Sequence, residues 1–258
     1  MKKWTAHITM GIALMLAAAQ TAHARDFKVY GYKTPGQGEV ELVYWWDYFV
    51  KSDHPYDYFG EVLEKEGLQR HTAEIEYGVT DRWTVAAYAD FEKPQDGDFE
   101  YVQARAVVSR YRFFERGERF FDTAIYVEYY LPYKKYREGE KVETRLILEK
   151  SLGPATLILN PIFDKKISSQ DAVEEGMEFE YAVGLYLPVG GIKPGLEFYG
   201  EMGELSDLKP KDEQEHFVFP TVKVKLPHHI GLEVGYGFGL TDASDDQVVK
   251  VIIALEIE

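Results

Sequence analysis

From position 39 the chain alternates between two kinds of residue. Val40, Leu42, Tyr44, Trp46, Tyr48 and Val50 take every second place, and Glu39, Glu41, Val43, Trp45, Asp47 and Phe49 lie between them. An extended strand turns successive side chains to opposite sides, so this spacing predicts a strand with one apolar and one mixed face. The theme returns along the chain. Ala73, Ile75 and Tyr77 oppose Thr72, Glu74 and Glu76; Trp83, Val85, Ala87, Ala89 and Phe91 oppose Thr84, Ala86, Tyr88 and Asp90. Val102, Ala104, Ala106 and Val108 are set against Tyr101, Gln103, Arg105 and Ser109, and Thr123, Ile125, Val127 and Tyr129 against Asp122, Tyr126 and Glu128. Val142, Thr144, Leu146 and Leu148 oppose Glu143, Arg145 and Glu149; Leu157, Leu159 and Phe163 oppose Thr156, Asn160 and Asp164. Further on, Phe179, Tyr181, Val183, Leu185 and Leu187 face away from Glu178, Glu180 and Tyr186, and Leu196, Phe198 and Met202 from Glu197, Tyr199 and Glu201. The last runs set Val218, Val222 and Val224 against Thr221, Lys223 and Lys225, then Ile230, Leu232, Val234, Tyr236 and Phe238 against Glu233 and a run of glycines. Val249, Val251, Ile253, Leu255 and Ile257 close the series against Lys250 and Glu256. About twelve strands of about ten residues, an even number, predict an all-β fold: a transmembrane antiparallel up-and-down β-barrel.

The connections agree with that arrangement. With the N-terminus on the periplasmic side, the outside connections span 51–69, 93–98, 132–141, 165–176, 204–214 and 241–247, and the inside ones centre on 79–82, 114–118, 151–154, 188–194 and 226–229. The first set is on average longer and more acidic, as the loops of such barrels are, although 93–98 is short. Within 53–68, Phe59, Val62, Leu63 and Glu66 follow helical spacing, which predicts a short helix in the first outside loop. The residues from Arg25 to Pro35 read as a short lead into the first strand.

Alternation alone does not separate a membrane barrel from a soluble one. Three features favour the membrane. The apolar face is continuous over nearly every strand. The mixed face carries charges too densely for a dry core, where an unpaired charge costs several kcal/mol. Aromatics gather near strand ends, at Trp45, Trp46, Tyr48, Trp83, Phe113, Phe114, Phe120, Phe121, Tyr129, Tyr130 and Tyr133, where an interfacial girdle would lie. The mixed face then lines the lumen. Its candidate functional residues are Glu41, Glu74, Arg105, Glu128, Arg145, Glu180, Glu197, Lys223 and Glu233, with acids in excess. Such a lumen favours a cation or a neutral polar solute over an anion, unless the charges pair across a narrow barrel and fill it.

Composition removes other classes. The 258 residues are 45% hydrophobic and 15% aromatic, too apolar for a disordered chain. Only the first two dozen positions approach the length of a membrane-spanning helix. There Lys2 and Lys3, the apolar stretch from Ile8 to Ala19, and Ala22, His23 and Ala24 have the three parts of a secretory signal. Residues 1–24 are therefore expected to be a signal peptide and 25–258 the barrel, exported to the outer membrane of a Gram-negative cell. The chain has no cysteine, which excludes disulfides and thiolate metal sites. A formal charge of -15 without a basic stripe argues against nucleic acid. No phosphate loop or dinucleotide fingerprint is present, and no cofactor or metal is expected. His71 has Ala73 where a nucleophile would share its face, and His216 has no serine in register, so no catalysis is expected. His228 and His229 read as a surface turn. Asp242, Asp245 and Asp246 lack the oxygen spacing of a calcium loop and read as a solvated acidic tip.

Three segments carry a family resemblance. The run from Glu74 to Trp83, Glu-Ile-Glu-Tyr-Gly-Val-Thr-Asp-Arg-Trp, resembles the strand, turn and strand signature of the bacterial outer-membrane family named for the MetA pathway of phenol degradation. Gly36-Gln37-Gly38-Glu39-Val40-Glu41-Leu42 and the run from Tyr236 to Asp246 are similar to that family's ends. The resemblance implies a barrel that passes hydrophobic or aromatic compounds and has no catalytic residues. The chain departs from many such barrels in finishing Leu255-Glu256-Ile257-Glu258 rather than on an aromatic residue read by the assembly machinery. The reading is a passive outer-membrane channel or transporter for small solutes. Its expected partners are outer-membrane lipid and lipopolysaccharide, the barrel-assembly machinery and a small-molecule solute. The alternatives are a plugged structural or adhesion barrel and, further off, a lipid-modifying enzyme.

Overall fold

Wherever the sequence alternates, the backbone is extended. The structure is a computed structural model that describes residues 27–133, 135, 139–168 and 176–257. The predicted signal peptide and part of the outside loop at 165–176 lie outside these. The strands are β1 (Val40–Lys51), β2 (Pro55–Tyr58), β3 (Glu61–Glu64), β4 (Gln69–Thr80), β5 (Trp83–Lys93), β6 (Glu100–Arg112), β7 (Asp122–Pro132) and β8 (Glu140–Leu152). They continue as β9 (Ala155–Ser168), β10 (Glu178–Tyr186), β11 (Ile192–Glu204), β12 (Asp207–Leu208), β13 (Glu215–Leu226), β14 (Ile230–Gly239) and β15 (Gln247–Ile257). Among the described residues there is no helix.

All but β2, β3 and β12 form one closed antiparallel ring, each strand pairing with the next in the chain. β15 returns to β1 in continuous register from Val40 opposite Ile257 to Phe49 opposite Val248. Closure matters because hydrocarbon offers no hydrogen-bond partners, and a ring leaves no strand edge unpaired. The two faces divide as the alternation predicts. Leu42, Tyr44, Ile75, Tyr77, Val234 and Ile253 project outward and are exposed, while Glu74, Glu76, Glu128, Glu197 and Lys250 are buried inside. The fold is therefore an all-β, twelve-stranded barrel.

Four local expectations are overturned. In β6 the register slips between Ala86/Tyr88 and between Asp90/Phe91 on the β5 side. An extra residue at each bulge flips the faces, so Val102 and Val108, expected outside, are buried within. At the bulge between Ala86 and Tyr88, Val107 takes φ 55, in the left-handed region that a β-branched residue avoids, and points outward. The helix expected in 53–68 is instead the β2–β3 hairpin, in register from Pro55 opposite Glu64 to Tyr58 opposite Glu61. Phe59 at φ 52 and Gly60 at φ 89 supply the two positive angles of a type I′ turn, so local turn chemistry overrides the helical spacing. Trp45 and Tyr130, assigned to the girdle, have inward parity and are buried. Asp245, expected in a solvated tip, is buried too: it takes a hydrogen bond from Ser52 at 2.6 Å and pairs with Lys65 at 2.6 Å, tying the last outside loop to the first.

Candidate functional site in the lumen

The lead before β1 is not a lead. Residues 27–35 run inside the barrel as an unpaired strap, with Phe27, Val29, Tyr30 and Tyr32 buried. Wall side chains hold its main chain. Lys250 Nζ donates to the Phe27 carbonyl at 2.9 Å, and Arg145 Nη1 to the Lys28 carbonyl at 3.1 Å. Asn160 clamps Tyr30 from both sides, accepting from its N–H at 2.8 Å and donating to its carbonyl at 3.1 Å. Glu149 accepts from the Tyr32 N–H at 2.9 Å. At the end of the barrel where β1 begins the chain turns into β1 against β4: Gly38 N–H donates to the Gly78 carbonyl at 2.8 Å, and a Cβ on Gly78 would lie 1.8 Å from the Gly36 oxygen. Gly78, part of the resemblance to the MetA-pathway family, is thus the seat of the strap's root. Sequence reasoning missed the strap because an isolated alternating segment carries no sign of where it packs.

All nine predicted lumen residues lie on the inner face, in three groupings. The wall made by β1, β4, β5 and β6 is charge-paired. Arg105 forks onto Asp90 with two bonds of 2.9 Å, reaches Glu128 at 3.6 Å, and lies among the rings of Trp45, Tyr88 and Tyr130. Arg110 holds Glu76 at 2.6 Å and Arg70 holds Glu92 at 3.2 Å. The strap supplies the cation for Glu74: Lys28 pairs with it at 2.9 Å and sits 4.2 Å from the centre of the Trp45 ring. Glu41, near the start of β1, lines a cavity of about 170 Å³ with Lys33, Val43, Arg110 and Glu256 at the mouth where the strap enters β1.

The second grouping is a knot on β11, β13, β14 and β15. Lys250, fully buried, bonds Glu197 and lies 2.7 Å from Glu233, while Lys223 reaches Glu233 at 2.8 Å and Glu197 at 3.5 Å. Tyr186 and Tyr199 both donate to Glu197. The glycine run of β14 makes room here, since a Cβ on Gly237 would meet the Phe219 ring at 2.2 Å.

The third is an acidic belt on β7 to β13. Glu128 is in register with Glu143, Glu143 with Asp164, and Asp164 with Glu178; one step along, Glu180 is opposite Glu201 and Glu201 opposite Glu215. Arg145 serves Glu143 at 2.8 Å, Lys141 serves Asp164 at 2.6 Å, and Lys209 serves Glu201 at 2.9 Å.

Beyond these groups the β2–β3 hairpin covers the mouth at the opposite end from the start of β1. Tyr56, Tyr58, Phe59 and Leu63 pack on Phe27, Phe49, Phe217 and Phe219, and Tyr58 OH donates to the Asp98 carbonyl at 3.2 Å. The histidines considered for catalysis face away from the lumen. His71 meets Tyr44 OH at 2.5 Å on the outer surface, and His216 meets Tyr181 OH at 3.0 Å. His228 and His229, at φ 63 and 59, form a tight turn.

No protein-family model matches the chain, and no curated protein does. Its fold is similar to that of the COG4313 outer membrane channel from Pseudomonas putida F1, with a TM-score of 0.60 and 12% identity over 88% of this chain and 98% of that one. The translocator domain of the autotransporter NalP from Neisseria meningitidis aligns at a TM-score of 0.44 with 9% identity, over 86% of this chain and 89% of that one. The outer membrane channel DcaP of Acinetobacter baumannii aligns at 0.38 with 10% identity, over 88% and 99%. The first likeness shows the outer-membrane barrel fold.

Proposed function

We propose that this protein is an outer-membrane channel for small solutes, closed by its own strap and opened when the strap withdraws. The observation that carries the reading is that the lumen is occupied by a separate segment, residues 27–35, held to the wall by side chains rather than by strand pairing. Burying a large apolar side chain contributes about 1.5–3 kcal/mol, and four are buried in the strap. Ordering each of its residues costs about 1–2 kcal/mol. Summed over nine residues the ordering cost is at least as large as the apolar burial, so the closed state depends on the hydrogen bonds to Asn160, Arg145 and Lys250 and on the Lys28–Glu74 pair, and the segment can leave without breaking any strand pairing. In this reading Glu74, Arg145 and Asn160 are the latch, and Glu41, Arg105, Glu128, Glu180, Glu197, Lys223 and Glu233 line the path that withdrawal exposes. Phe49, Phe217, Phe219 and Tyr199 suit a solute with an apolar or aromatic part, as the family resemblance implies, and the neighbouring carboxylates suit a cationic one.

The chain has no cysteine of its own, so a locked strap can be built without side reactions. Tyr30→Cys with Asn160→Cys places thiols where the clamp now lies. In planar bilayers the oxidised protein is expected to be silent and the reduced protein to conduct in steps. Silence in both states, with the wild type silent too, would favour a sealed structural barrel. Co-sedimentation of the full chain with outer membranes tests the location.

A further inference from the structure

The acidic belt is placed at a cost. Like charges directly opposite on neighbouring strands are destabilising, and here they follow one another across six adjacent strands. Most of these carboxylates have a cation of their own. β10 is the exception: it contributes Glu178 and Glu180 to the inner face and has no basic residue anywhere along it. Glu180 is 7% exposed, and neither it nor Glu178 makes a hydrogen bond or ion pair among the described residues. Beside them Asp164, 3% exposed, uses one oxygen for Lys141 and leaves Oδ1 buried without a hydrogen-bond partner. Glu178 is half-buried, and the ammonium that faces both β10 acids, Lys141, is already bonded to Asp164, so this stretch of wall holds more acids than cations. A buried carboxylate short of positive charge is disfavoured, and the shortfall points to a ligand.

The barrel already shows how a cation is held on such a wall. The Lys141 ammonium bonds Asp164 and lies 4.3 Å from the centre of the Tyr130 ring, and the Lys28 ammonium sits between Glu74 and the rings of Trp45 and Tyr30. Both are amines on alkyl stems that use one carboxylate and an aromatic face. A compact metal ion fits less well. Among the described residues no three acidic or histidine side chains converge closely enough to hold one. The free charge is spread instead along β10, where alternate residues stand about 7 Å apart, and across to β9, about 4.8 Å away.

We propose that Asp164, Glu178 and Glu180 form a binding site for an organic polycation, a flexible chain carrying two or more protonated amines. This deepens the channel reading and rests on it for its sense: the site lies in the half of the lumen nearer the outer mouth, where a solute would be captured before the strap yields.

Titration of the purified barrel with spermidine by calorimetry tests the site. One saturable, salt-sensitive binding event is expected. Glu178→Gln with Glu180→Gln should weaken it at least tenfold, while Glu118→Gln, on an exposed periplasmic turn, should leave it within twofold. Retention of the compact, heat-modifiable band on gels certifies that each variant is folded. If it is lost in the double variant, Glu180→Gln alone takes its place, with at least a threefold loss expected. No saturable binding to the folded wild type, unchanged affinity in the folded glutamine variants, or displacement of spermidine by equimolar Ca²⁺ would overturn the proposal. Spermidine binding by a barrel that stays silent in the disulfide-release experiment would leave the site standing and remove the channel. Conductance without spermidine binding would do the reverse.

Discussion

The two sides of the lumen solve the same problem differently. On β4, β5 and β6 the buried acids Glu76, Asp90 and Glu92 each meet an arginine from another strand of the same wall, and Glu74 meets Lys28 from the strap. On β9, β10 and β11 the acids face one another across the strands, and β10 brings no cation at all. The first is self-neutralised and acts as a scaffold, whereas the second retains charge. Where charge pairs internally it holds shape, and where it does not it is available to something else.

The largest break in this comparison is expected from Arg105→Met. It strips the two-bond fork from buried Asp90 and should cost about 3–5 kcal/mol, read as a fall in the heat-modification midpoint of the folded barrel. Next is Gly78→Ala, whose Cβ would collide with the Gly36 oxygen at the strap's root. A misfit of this kind costs about 1–3 kcal/mol. It should unseat the strap, remove Lys28 from Glu74 and raise conductance, and an unchanged closed state would show that the root is not the hinge. The sharpest test compares signs. Glu76→Gln gives up a charge-assisted bond to Arg110 and should destabilise by about 1.5–3 kcal/mol. Glu180→Gln removes like-charge repulsion and should stabilise by about 0.2–1 kcal/mol. Equal signs in denaturant titrations would erase the distinction between the walls.

The smallest effect concerns the lid, outside the membrane-spanning strands. Burial, aided by the nearby charges of Glu100, Glu92 and Asp98, pushes the Tyr58 phenol from 10.0 up to about 12. A raised pKa in the folded state means that its contribution is whole below pH 10 and is lost as pH rises through about 12. Proteolytic nicking of the β2–β3 hairpin should therefore increase across that window, and Tyr58→Phe should flatten the dependence.

Much of this was legible in the chain. Strict period-two spacing places Glu74, Glu128, Arg145, Glu180 and Glu197 on one face because strand geometry leaves no other choice. The reading failed where one residue changes parity or where a turn decides. Val102 and Val108 went to the wrong face because a bulge is a property of pairing between strands, not of one strand's composition. The helical spacing of Phe59, Val62 and Leu63 was overruled by two positive φ angles at the hairpin tip. The belt was half visible: an excess of inward acids can be counted from sequence, but which acid faces which depends on register.

The sequence by itself determined a closed barrel with an apolar exterior and a charged interior, since alternation fixes faces and lipid forbids open edges. Only the tertiary structure decided what fills that interior. Residues 27–35 carry no local instruction to enter the lumen. They lie there because Asn160, Glu149, Arg145 and Lys250, brought from three different strands, satisfy their main chain. The pairing of one wall and the unmet charge of the other arise in the same way, from contacts between residues far apart in the chain.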